Sequence, residues 1–102
     1  QPVSRLPSIR RDVAVLINEN IPVGAVLRAL QESKPASVES IDVFDVYRGS
    51  ELPAGLKSVA ILVVMRDTER TLTDSDGDRI VGQIVATLSD RFGATLRSQT
   101  SP

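Results

Sequence analysis

Asp45 and Tyr47 stand two residues apart in the stretch Ile41-Asp42-Val43-Phe44-Asp45-Val46-Tyr47-Arg48-Gly49, so on a strand they share a face. A carboxylate there accepts hydrogen bonds from amino edges, and a phenol offers a flat π surface for stacking. Alternation through the other strand-like stretches puts Ala14, Ser58, Ala60, Arg66 and Arg97 on the same side of a sheet. Small Ala14, Ser58 and Ala60 leave a shallow floor, and Ser58 can donate or accept. Arg97 can reach a phosphate or a polar ring edge. The set holds no nucleophile beside a base. It is equipped to grip something flat and polar, and one rival reading is a solvated face on which Tyr47 packs against another part of a larger protein.

Composition removes many alternatives. The chain has 102 residues, no Cys and no His, which excludes disulfides, the common zinc sites, Cys nucleophiles and His-based triads within it. Its net charge of −1 supplies no general field for a polyanion, so any such contact must be local. Ten of the twelve basic residues are Arg, the residue suited to planar, bidentate contacts, although a GC-rich genome would encode the same bias. No apolar run approaches a membrane span, and the expected compartment is the cytoplasm. Asp74-Ser75-Asp76-Gly77-Asp78 fails as a calcium loop, because Gly77 is fourth where a sixth-position Gly is needed, and Val85 stands where a Glu belongs. Gly49 to Gly55 followed by Lys57-Ser58 fails as a phosphate loop, since the spacing is long and a strand follows. No catalytic residue and no metal ligand is expected in this chain.

The elements that must position the candidate residues follow from periodicity. Residues 1–10 read as an extended arriving linker, and Gln1 in place of Met makes the chain an expected piece of a longer protein. Val13, Val15 and Ile17 mark strand one over Arg11 to Asn18. Pro22 opens a helix whose stripe is Val23, Val26, Leu27 and Leu30, ending near Ser33. Strand two is expected over Val38 to Arg48, with Phe44 and Val46 on one face and Ile41, Val43, Asp45 and Tyr47 on the other. Strand three covers Lys57 to Asp67, with Val59, Ile61, Val63 and Met65 inward. Thr73 and Asp76 form a predicted capping box for a second helix carrying Ile80, Val81, Ile84, Val85, Leu88 and Phe92. Gly77 and Gly82 each cost that helix about 1 kcal/mol relative to Ala. Gly93 caps it, a short strand runs to Arg97, and 98–102 is a tail. Strand, helix, strand, strand, helix, strand with right-handed crossovers gives an α+β, ferredoxin-like βαββαβ sandwich. It has a four-stranded antiparallel sheet, two helices on one face and nothing to cover the other. Pattern alone reaches a sheet with one open face, for which the bases of an RNA loop are one candidate beside the solvated or packed face.

Five segments follow one another with a recognisable spacing: Arg11-Asp12-Val13-Ala14, Phe44-Asp45-Val46-Tyr47-Arg48-Gly49, Lys57-Ser58-Val59-Ala60, Arg70-Thr71-Leu72-Thr73-Asp74 and Arg91-Phe92-Gly93-Ala94-Thr95-Leu96-Arg97. Over Leu6 to Arg97 the chain resembles the ferredoxin-fold anticodon-binding domain at the C-terminus of the bacterial phenylalanyl-tRNA synthetase beta subunit. The resemblance implies a domain over 11–97 that packs against the anticodon loop of tRNA(Phe), with the first anticodon base on the open sheet. It implies contacts from Ala14, Asp45, Tyr47, Ser58 and Arg97. It also implies a parent α2β2 ligase whose alpha subunit joins phenylalanine to tRNA with ATP and magnesium, the remainder of the beta subunit and the alpha subunit being partners. One departure is Asp76-Gly77-Asp78, where the family usually has Glu and an aliphatic residue, which bears on the second helix. Two readings of other classes remain beside this one: a module docking a protein on its open face, and a small-molecule sensor with a pocket at a dimer interface.

Overall fold

Aliphatic residues in the second strand recur at 38, 41, 43 and 46. Strict alternation permits only intervals of two, so the two intervals of three require extra residues in the strand. The structure, a computed structural model describing residues 6–100, contains both. Its elements are β1 (Ile9–Asn18), α1 (Val23–Glu32), β2 (Val38–Tyr47), β3 (Leu56–Met65), α2 (Asp74–Phe92) and β4 (Thr95–Thr100). The strands form one antiparallel sheet in the order β2-β3-β1-β4. Val13, Val15, Ile17, Val59, Ile61, Val63 and Met65 alternate onto one face. There they meet Val26 and Leu30 of α1 and Ile80, Ile84 and Leu88 of α2. Every one of these side chains is buried, which at about 25 cal/mol per Å² of apolar surface is the main force holding the helices to the sheet.

The βαββαβ order and single helical layer match the ferredoxin-like arrangement read from the sequence. Three details differ. In β2, Val43 pairs with Ile61 and Asp45 with Ala60, so Phe44 is an extra residue. The bulge shifts the phase: Ile41 and Val43 pack with the core, while Phe44 joins Asp45 and Tyr47 on the open face. This corrects the expectations that Ile41 and Val43 share a face with Asp45 and that Phe44 lies on the opposite face from it. β1 starts at Ile9 and β4 continues to Thr100, so residues expected in the linker and the tail belong to strands. The rest of those two segments, 1–5 and 101–102, lies outside the described residues.

The start of α2 is organised by charge. Thr73 Oγ1 accepts from the Asp76 N–H at 3.2 Å, and Asp76 Oδ2 accepts from the Thr73 N–H at 2.8 Å, completing the capping box. Arg70 grips the same carboxylate through both terminal nitrogens, at 2.8 and 3.0 Å. Beneath this turn lies buried Arg11 of β1, whose Nη1 donates to Asp78 Oδ1 and to Gln99 Oε1, each at 2.8 Å. A Cβ at position 77 would stand 2.8 Å from Arg11 Nη2. Gly77 therefore makes room for the guanidinium that ties β1, α2 and β4 together. On the opposite flank, the buried Lys57 ammonium donates to the Ile21 carbonyl at 2.6 Å and fixes the β1–α1 turn. Burial, with Arg48 nearby, lowers the pKa of this amine.

Candidate functional site

The pairings that build the sheet also assemble the site. Ala14 faces Ala60 across β1 and β3, Asp45 faces Ala60 across β2 and β3, and Tyr47 faces Ser58. These register positions stand on the side away from the helices. On β4, Ser98 pairs with Ala14 and Leu96 with Val15, so Arg97 is the extra residue of a third bulge, after the two in β2. That irregularity directs Arg97 across the sheet, where Nη1 donates to Ser58 Oγ at 3.2 Å. All five residues singled out in the sequence, Ala14, Asp45, Tyr47, Ser58 and Arg97, line one shallow depression of about 330 Å³, with Ala60 and Glu51. Arg66 is not among them. It ends beyond β3, where Nη1 lies 3.5 Å from Glu39 Oε2, at the other end of the sheet.

Tyr47 is held from two sides. The Arg97 guanidinium lies 5.7 Å from its ring centroid, within cation–π range. Its hydroxyl donates to Glu51 in the β2–β3 loop. Gly49 lies so close under the ring that a Cβ there would collide with the hydroxyl and its ring carbon. Donation to Glu51 raises the pKa of Tyr47, with burial and the adjacent negative charge adding to the effect. The same bond lowers the pKa of Glu51. At neutral pH the pair is therefore a neutral phenol and a carboxylate. Tyr47 remains 39% exposed and Phe44 56%, so two aromatic rings stand on the open face.

Reading by alternation alone misses Phe44 and Glu51. The interval of three between Val43 and Val46 signals the bulge that turns Phe44 outward. Glu51 carries no such signal, because its place depends on the path of the loop. Among the described residues, no group of three or more His, Cys, Asp or Glu side chains is placed to hold a metal ion. No described helix is long and apolar enough to cross a membrane.

The family model described as "Ferredoxin-fold anticodon binding domain" matches residues 4–97. Among curated proteins, the chain is 48% identical over 96 residues to the phenylalanine–tRNA ligase beta subunit of Thiobacillus denitrificans (strain ATCC 25259 / T1), covering 94% of this chain. It is 41% identical over 96 residues, again 94% of this chain, to the protein of the same name from Nitrosospira multiformis (strain ATCC 25196 / NCIMB 11849 / C 71). It is 45% identical over 97 residues, 95% of this chain, to that from Anaeromyxobacter dehalogenans (strain 2CP-C). The chain spans 12% of the length of each of these relatives. A βαββαβ sandwich with one uncovered face, matched by the family model over nearly its whole length, belongs to the ferredoxin-fold anticodon-binding domain family.

Proposed function

We propose that this chain recognises the anticodon loop of tRNA(Phe) on its open sheet face, as part of a phenylalanine–tRNA ligase beta subunit. The observation that carries the reading is the convergence of Ala14, Asp45, Tyr47, Ser58 and Arg97 in one depression. Tyr47 stacks on a loop base. Asp45 accepts from the amino edge of that base, Ser58 contacts an edge atom, and Ala14 with Ala60 keeps the floor low. Arg97 donates to a phosphate or base edge. The family match and the names of the relatives support the RNA partner. In such a parent, aminoacylation with ATP and magnesium belongs to the alpha subunit of an α2β2 assembly in the cytoplasm. This domain contributes recognition and no chemical step.

A titration with two RNA stem-loops tests the reading. One carries the phenylalanine anticodon and the other a changed first anticodon base, each at low and moderate salt. Base readout requires the first to bind more tightly and the difference to survive added salt, because phosphate attraction fades with ionic strength. Equal binding that disappears with salt would remove anticodon recognition from the isolated chain.

A further inference from the structure

We infer that the open face holds a second base beside the one on Tyr47, with Phe44 as its stacking platform. This inference rests on the reading of the face as an RNA-binding surface. Phe44 is 56% exposed on a sheet whose other face buries nearly every apolar side chain. It stands there because the β2 bulge adds it as an extra residue beside Asp45. It walls a second depression of about 230 Å³ whose floor is Ala14 and Ala60 and whose rim carries Asp12 and Ser98. Ala14 and Ala60 also floor the Tyr47 depression, so the two hollows adjoin over the same pair of methyl groups. Phe44 and Tyr47 lie three residues apart on one strand, roughly 10 Å at about 3.3 Å per residue. Neighbouring nucleotides of a splayed single strand can occupy both hollows.

The lining suits a nucleobase: one aromatic wall for stacking over a floor of two methyl groups, with a carboxylate and a hydroxyl beside it that can hydrogen-bond a base edge. The Asp12 carboxylate accepts and the Ser98 hydroxyl can donate or accept, so the hollow takes a base edge that presents a donor, either an exocyclic amino group or a ring N–H.

The test uses the 102-residue chain and the phenylalanine-anticodon stem-loop, with an abasic nucleotide on either side of the first anticodon base. One of the two abasic RNAs is expected to bind the unmodified chain at least about five-fold more weakly than the intact loop. Phe44→Ala and Phe44→Leu lose the same factor on the intact loop but nothing further on that abasic RNA, and Phe44→Tyr binds as the unmodified chain does. If Tyr47→Ala weakens binding and the Phe44 variants do not, the second hollow is refuted and the RNA reading stands. Losses from Phe44→Ala and the abasic site that multiply also refute it. If neither Tyr47→Ala nor Phe44→Ala changes binding, both readings fall.

Discussion

Tyr47 is the single tyrosine of a chain without tryptophan, so its own spectroscopy reports on the site. Ionising the hydroxyl would remove its donation to Glu51 and set two anions together, which is why its pKa is raised. The neutral phenol is the form favoured by the fold. Its contribution is present below the ordinary tyrosine pKa and is lost as pH rises through the folded value. Glu51 has the opposite dependence. Its pKa is depressed, so its contribution is present above the ordinary carboxylate value and is lost as pH falls through the folded one. The contact spans the neutral range between those limits. Tyrosinate absorbance should titrate above free tyrosine, and Glu51→Ala should bring the midpoint down. An unchanged midpoint would mean the two groups do not touch in solution. Tyr47→Ala should weaken anticodon-loop binding by roughly ten-fold to a hundred-fold while leaving thermal unfolding nearly unchanged.

At the scale of elements, the two glycines of α2 separate propensity from packing. Gly82 faces open space, so Gly82→Ala should stabilise the domain by up to about 1 kcal/mol in denaturant unfolding. Gly77→Ala should forfeit that gain and lower the melting temperature, because its Cβ displaces an Arg11 guanidinium already committed to Asp78 and Gln99. Thr73→Ala removes the N-cap acceptor and should cost about 1 kcal/mol by the same measurement. The capping box, the helical stripes and the β1 and β3 faces were legible because each depends on local spacing alone. Gly77 read only as a weakness, since its partner Arg11 lies 66 positions away in sequence and is brought to it by the fold. The faces of β2 were misread at Ile41 and Val43 because alternation was carried through a bulge that the spacing of Val43 and Val46 already marked. Asp45 and Tyr47 met Ser58 of β3 as expected because they lie beyond that bulge, where the phase of β2 is regular.

For the whole molecule, a net charge of −1 means that affinity for RNA cannot come from a diffuse field. The open face carries Asp12 and Asp45 beside Arg97, so the proposed RNA recognition calls for few phosphate contacts and for specificity from base edges. The slope of log affinity against log salt should accordingly be shallow, on the order of −1 to −2. One measurement addresses the central claim directly: amide chemical-shift mapping of the labelled chain as the phenylalanine-anticodon stem-loop is added. The account predicts shifts at Ala14, Asp45, Tyr47, Ser58, Ala60 and Arg97, with the amides of α1 and α2 unmoved. Shifts confined to the helices, or none on the open face at saturation, would contradict it.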